Sequence, residues 1–254
     1  MRLAKPVGLG VLSFITILAV WEAGARIGWL DPFFTSQPAA IARALLVEMR
    51  SGELARSVWV SLVEFAVGFG AAIAVGLTLG IVAGWFRTVE YALDPFIWFV
   101  YSAPLIAFYP LFVLWLGLGT HTVMAISFLL SVTPITVNTI AGMRGVDRLL
   151  LVAARSFGAR ARDELWKVAL PASVPMIAAG LRLGVGRALT GVVIAELFVP
   201  SGGLGSSIAY NAGLLRTTNV FASLSVIVVI GVVCTQTLSV LEAKFSSWRT
   251  GPGL

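Results

Sequence analysis

Charges are so sparse along this chain that their positions divide it into segments. None occurs at 65–86, at 95–143 or at 217–241. About 20 consecutive apolar residues cross a bilayer as a helix, so each run reads as membrane-spanning. The run 95–143 is too long for one helix and divides at Gly117-Leu118-Gly119-Thr120-His121, giving two spans. Segment 175–198 is a further span, and it carries Arg182, Arg187 and Glu196. The first span lies at 6–21, with an extension toward Leu30. Two basic residues ahead of an apolar stretch would also suit a signal peptide. Glu22, Arg26 and two tryptophans stand where its small-residue cleavage site should be, so the segment reads as a retained span. The expectation is an all-α integral membrane protein with about six transmembrane helices and both termini on one side. Irregular backbone cannot face lipid, and the short alternating segments of a β-barrel are absent.

The distribution of Lys and Arg orients the bundle. With the N-terminus inside, the inner segments carry Arg2, Lys5, Arg87, Arg144, Arg148, Arg155, Arg160, Arg162, Lys167, Lys244 and Arg249. The outer ones carry only Arg26, Arg43, Arg50, Arg56 and Arg216. Both termini are therefore expected to be cytoplasmic. In the outer segment 31–56, Ile41, Leu45, Leu46 and Met49 have helical spacing behind Pro38, which predicts an amphipathic helix on the outer surface.

Composition sharpens this picture. The 254 residues are 58% hydrophobic and only 12% charged, with a mean hydropathy of +0.95. Soluble domains carry about 25% charged residues, so a soluble enzyme, a disordered chain and a nucleic-acid-binding domain are excluded. The net charge of +6 is spread between apolar blocks, as in loops at a membrane surface. One cysteine, Cys234, and one histidine, His121, leave no disulfide framework and no multi-histidine or cysteine metal site.

Gly76, Gly80 and Gly84 recur every four residues, and Gly180 and Gly184 repeat the spacing. They predict grooves in which another helix backbone approaches closely. Gly184-Val185-Gly186 lacks the third glycine of a dinucleotide loop. The lysines are Lys5, Lys167 and Lys244, and none forms a P-loop, so the chain has no such ATP site of its own. Pro95, Pro104, Pro110 and Pro134 break or bend the third and fourth spans. Such breaks read either as simple kinks or as backbone beside a pore.

The inner loop 143–173 holds an apolar-periodic piece at 149–157, an interruption at Gly158, and a second piece at 159–170 with Arg160, Arg162, Asp163 and Glu164. Pro171 and Pro175 are expected to break the chain before the next span. Two short helices with apolar anchors and charged flanks fit a partner's groove. A loop resting on lipid headgroups is the other reading.

The spacing within this loop resembles a known signature. Val152-Ala153-Ala154-Arg155-Ser156-Phe157-Gly158 is followed, nine residues later, by Val168-Ala169-Leu170-Pro171. ABC importer permeases carry Glu-Ala-Ala, three residues, Gly, nine residues, Ile, one residue, Leu-Pro. Val152 stands in place of the glutamate and Val168 in place of the isoleucine. Asp94-Pro95, Trp115-Leu116-Gly117-Leu118-Gly119, Pro134-Ile135-Thr136-Val137-Asn138-Thr139, Gly180-Leu181-Arg182, Ala195-Glu196, Gly202-Gly203-Leu204-Gly205 and the tail with Trp248 resemble the nitrate, sulfonate and taurine type of these permeases.

The resemblance implies a type I ABC importer permease fold in a bacterial inner membrane. It divides the chain into an N-terminal span with an outer amphipathic segment (1–56), a permease core (57–246) and a short cytoplasmic tail (247–254). It implies two copies of a cytosolic ABC ATPase that bind ATP and Mg, a second permease copy in a homodimer, and an extracytoplasmic solute-binding protein that delivers a small solute, anionic in this type. This chain would bind no cofactor. The ATPase-coupling residues would be Ala153, Ala154, Arg155, Gly158, Ala159, Arg160, Arg162, Leu170 and Pro171.

Charges inside a membrane are functional candidates. Arg182, Arg187, Glu196 and the polar Asn138 are therefore candidates for the translocation pathway. The alternatives are snorkelling for Arg182, helix–helix bonding for Arg187, and support of the 202–205 turn for Glu196. Two other functions fit the sequence less well. An intramembrane protease would need Ser206 and His121 at membrane depth, but both fall in outer loops. An ion-gradient-driven secondary transporter often shows two related halves, and no internal repeat is evident.

Overall fold

The computed structural model describes the backbone of residues 4–31 and 33–246, and the side chains of 10, 12–31 and 33–240. Arg2, Arg249 and the tail 247–254 with Trp248 lie outside the described residues, as do the side chains of Lys5 and Lys244. Among the described residues every regular element is helical. The order is α1 (Ala4–Arg26), α2 (Pro38–Ser51), α3 (Glu53–Trp85), α4 (Arg87–Ser102), a 3₁₀ turn (Leu105–Phe108), α5 (Tyr109–Leu116) and α6 (Thr120–Arg144). There follow α7 (Arg148–Ser156), a single turn α8 (Ala161–Asp163), a π-helical stretch (Glu164–Ala169), α9 (Leu170–Phe198), α10 (Leu204–Gly213) and α11 (Thr217–Ser246).

Four described helices are long and apolar enough to cross a membrane: Glu53–Trp85, Thr120–Arg144, Ala161–Phe198 and Thr217–Val240. The pair Arg87–Ser102 and Leu105–Leu116, bent by 85°, makes a fifth if it counts as one span. The segment expected as the first span is helical within α1. The six spans expected from the sequence exceed this count.

The core is a three-helix layer with α6 between α3 and α9. Glycines set the spacing, as their periodicity predicts. A Cβ on Gly80 would lie 2.4 Å from Cβ of Thr139, and one on Gly84 2.5 Å from Cβ of Met143. On α9, a Cβ on Gly180 would lie 2.7 Å from Cβ of Asn138. The order of these contacts makes α3 and α6 parallel and α9 antiparallel to both. Dispersion across such close backbones is the main attraction between helices in lipid.

The helices add detail to three of these expectations. Helix α3 begins at Glu53, after Gly52 at φ +81°, so the division at 56/57 falls inside a helix. Its 33 residues span about 50 Å at 1.5 Å per residue, well beyond a hydrocarbon core of about 30 Å. The amphipathic helix appears as α2, but only Ile41 of its apolar set is buried, and Leu46 and Met49 are exposed. Pro171 and Pro175 do not break the chain, because Ala161–Phe198 runs through as one helix. Pro171 falls in the first turn of α9. The π-helical stretch before it shifts the bonding register there, so the missing N–H costs little.

Candidate functional site

The loop between α6 and α9 is a built element. Asp147 caps α7, its side chain accepting from the Leu149 N–H at 2.8 Å. After α7 the chain reverses at Gly158, whose φ is +84°. A Cβ there would meet open space, so backbone conformation, and not crowding, is what favours glycine. Arg155 then reaches across the turn. Its Nε and Nη2 donate to the two oxygens of Glu164 at 2.8 and 2.9 Å. This fork-on-carboxylate contact fixes the angle between α7 and the π-helical stretch. Glu164 pushes the Arg155 guanidinium pKa further up by that hydrogen bond and its charge. Met143, Val146 and Ala169 are buried together, with Trp85, Leu151, Leu165 and Leu170 packed against them. The loop is thereby seated on the ends of α3, α6 and α9.

What the loop presents outward is apolar. Leu149, Leu150 and Val152 of α7 are exposed, and Phe157 is 93% exposed at the tip. Arg160 and Arg162 flank this face and are exposed. Lys167 pairs with Asp163 at 2.7 Å. Ala153 and Ala154 lie in α7, Leu170 and Pro171 lie at the start of α9, and Ala159 lies in the link after Gly158, because the second helical piece, expected from 159, begins at Ala161. The sequence assigns no site role to Phe157 or Glu164. Their signals were an aromatic at a turn tip and a carboxylate nine positions after an arginine.

The membrane-embedded candidates separate by environment. Arg187 is exposed on α9. It makes no ion pair among the described residues. It lines a cavity of about 170 Å³ with Tyr101, Ala103, Leu130, Thr133, Pro134 and Leu183. A larger cavity, about 540 Å³, adjoins it at Ala103 and is walled by Trp98, Phe99, Pro104 and Phe108. Both sit at the 85° break between α4 and α5, beside Pro104 and Pro134. Pro134 has no N–H for the Leu130 carbonyl, which adds an acceptor beside Arg187. Arg182 is exposed one turn and a half earlier on α9. Asn138 is half-buried, with Nδ2 donating to the Pro134 carbonyl at 2.8 Å and its Cβ against Gly180.

Glu196 is sealed, at 1% exposure. The Ser61 hydroxyl donates to its Oε1 at 2.7 Å, and the Gly205 N–H to its Oε2 at 2.6 Å. The Leu204 N–H donates to the Ser61 oxygen at 2.9 Å. The carboxylate thus caps the start of α10 and holds the 201–205 turn, which is the supporting role read for it beside the pathway role. The Ser206 hydroxyl donates to the carbonyls of Val199 and Glu196 at 2.9 and 3.2 Å, so it is occupied in the same turn. His121 is exposed near the start of α6.

Comparison with known proteins agrees with this geometry. Residues 76–245 match the family described as binding-protein-dependent transport system inner membrane component. SsuC of Bacillus subtilis (strain 168), named for aliphatic sulfonates transport, is 32% identical over 240 residues, covering 94% of this chain and 87% of its own length. The taurine transport system permease protein TauC of Escherichia coli (strain K12) is 30% identical over 252 residues, covering 97% and 92%. Among solved structures, the MetNI methionine ABC transporter in inward facing conformations matches with a TM-score of 0.60 at 20% identity. The match covers 76% of this chain and 96% of that one.

Proposed function

We propose a function that starts from one premise: the chain belongs to the family of binding-protein-dependent transport system inner membrane components. On our reading it is the permease subunit of an ATP-driven importer, and it forms the path for a small anionic solute such as a sulfonate. It works as a homodimer in a bacterial inner membrane, with both termini cytoplasmic. Two copies of a cytosolic ABC ATPase bind and hydrolyse ATP with Mg, and an extracytoplasmic solute-binding protein delivers the solute.

The exposed apolar face of α7 and Phe157 carries this reading. That face is held rigid by Arg155 and Glu164 on an element seated against the bundle. An apolar anchor on a rigid helical piece with flanking arginines fits a groove in a partner. ATP-driven closure of the ATPase dimer would move this element as a body, and α9 with it, because the π-helical stretch runs into α9 without a break. Rocking of α9 would then switch access to the cavities beside Arg187. The relatives named for sulfonate and taurine transport support an anionic solute, and an arginine on a spanning helix with no ion pair among the described residues fits one.

The test is co-purification. The tagged chain, extracted in mild detergent, should bring down a P-loop ATPase in equal amount. Phe157→Glu should abolish that recovery while the chain still inserts. Undiminished recovery with Phe157→Glu would refute docking through this face.

A further inference from the structure

Thr133 is 7% exposed on α6, and its hydroxyl makes no hydrogen bond among the described residues. Its neighbours on the same helix behave differently. The hydroxyls of Ser131, Thr136 and Thr139 each donate to the carbonyl four residues earlier, at 2.6, 2.9 and 2.7 Å. That back-bond is the ordinary refuge of a hydroxyl inside a helix. Buried polar groups are seldom left unmet. Thr133 lines the cavity of about 170 Å³ together with Tyr101 and Arg187. Arg187 also makes no hydrogen bond or ion pair among the described residues. A guanidinium and a buried hydroxyl, both without partners, thus line one cavity.

These groups specify one half of a ligand. A guanidinium is always charged, and its planar fork of donors matches a carboxylate or a sulfonate. The hydroxyls of Thr133 and Tyr101 offer further donors. The adjoining cavity of about 540 Å³, which shares Ala103 with the first, specifies the other half. Its walls include Trp98, Phe99, Pro104 and Phe108, and its lining has no charged side chain. Trp98 stands edge-on to Tyr101 with ring centroids 5.6 Å apart, so the aromatic wall begins where the polar cavity ends. Neither lining has an acidic side chain. An ammonium close to the anionic head, as in taurine, would stand near Arg187 in a medium of low dielectric with no counter-charge. An inorganic oxyanion would leave the aromatic wall uncovered and forgo its burial.

We propose that the two cavities form one solute site within the permease, for an organic anion with an apolar aryl or alkyl body: the head on Arg187 and Thr133, the body against Trp98, Phe99 and Phe108. The inference rests on the importer reading and narrows the cargo from small anions in general to amphipathic ones. It also gives the permease a filter of its own, after the solute-binding protein.

Saturation-transfer NMR on the full-length chain in lipid nanodiscs tests this, with benzenesulfonate as the probe and empty nanodiscs subtracted. The expected result is a transfer signal on the ring protons. Displacing the probe should take about tenfold more sulfate or taurine than pentane-1-sulfonate. Arg187→Gln should weaken probe binding by about tenfold, and the nearly isosteric Thr133→Val by about threefold. Trp98→Ala should narrow the gap between pentane-1-sulfonate and sulfate. No transfer signal with the native chain, equal competition by sulfate or taurine, or undiminished binding in Arg187→Gln overturns the proposal. If Arg187→Gln fails to insert, Thr133→Val decides in the same way. No ATPase takes part in the measurement. A chain that brings down its ATPase and binds no probe refutes the site alone, and a chain that binds the probe and brings down no ATPase refutes the importer reading alone.

Discussion

Arg155 and Glu164 lie on opposite sides of the Gly158 reversal and grip each other through two hydrogen bonds of 2.8 and 2.9 Å. Glu164 is 4% exposed beneath the arginine. The contact turns two short pieces of helix into one body. It also engages Arg155 within its own chain, while the arginine side chain stays 64% exposed. Glu164→Ala should leave insertion and folding of the spans intact and lower ATP-driven uptake by about tenfold, an ordinary size for a coupling between distant sites. Vesicle uptake measured beside ATPase activity checks this. Uptake equal to the native rate would show that the grip is dispensable.

Gly158 sits at φ +84° with empty space where a Cβ would go. Gly158→Val therefore meets conformational strain alone, about 1–2 kcal/mol for a left-handed residue and more for a β-branched one. The reversal should open and ATPase recovery should fall, while the thermal midpoint of the membrane bundle changes little. Gly158→Asn, which tolerates this conformation, should retain most of the recovery.

Gly80 is the opposite case. A Cβ there would lie 2.4 Å from Cβ of Thr139 and 3.0 Å from the Thr136 carbonyl. Gly80→Val should force α3 off α6 and destabilise the bundle by about 1–3 kcal/mol, the usual cost of overpacking. Gly70→Ala on the same helix meets nothing within 4 Å and should be neutral. Thermal unfolding of the two purified variants compares them directly.

Ser61 both donates to Glu196 and accepts from the Leu204 N–H. Ser61→Ala leaves a buried N–H and a carboxylate oxygen short of a partner. A loss of about 1–3 kcal/mol is expected from such an unmet group. The 201–205 turn should then show faster amide hydrogen exchange than α6.

Arg187 borders the cavity at the helix break and has no carboxylate partner among the described residues. Arg187→Gln should lower uptake of an anionic solute by about tenfold without altering ATPase recovery, since an interaction with one charged group carries about 1.5–3 kcal/mol. Arg187→Lys should restore part of the rate. Unchanged uptake with Arg187→Gln would remove this residue from the pathway.

Much of the architecture was legible in the sequence for a simple reason: in a bilayer, charge is excluded from any helix that faces lipid. The charge-free run 65–86 ends one residue past α3, the run 217–241 lies within α11, and the Gly117–Gly119 division falls between α5 and α6. The four-residue glycine spacing correctly announced close helix contacts, and the loop signature led to the family. Such features are local, so one stretch of chain carries the whole signal.

What the tertiary structure decided involves residues far apart in sequence. Glu64 directly precedes the charge-free run 65–86, yet α3 starts at Glu53 and carries it fully inside. The proline pair 171/175 reads as a break, yet the π-helical stretch places Pro171 in a first turn, where it needs no donor. Arg155 reads as a free cation for a partner, yet the reversal at Gly158 brings Glu164 under it. The sequence by itself determined which segments belong in lipid and which family the loop resembles, because apolarity and spacing are properties of single segments. Which charges meet, and which are left without a partner, is set only when helices from distant parts of the chain pack together, because burial and pairing are properties of neighbours in space.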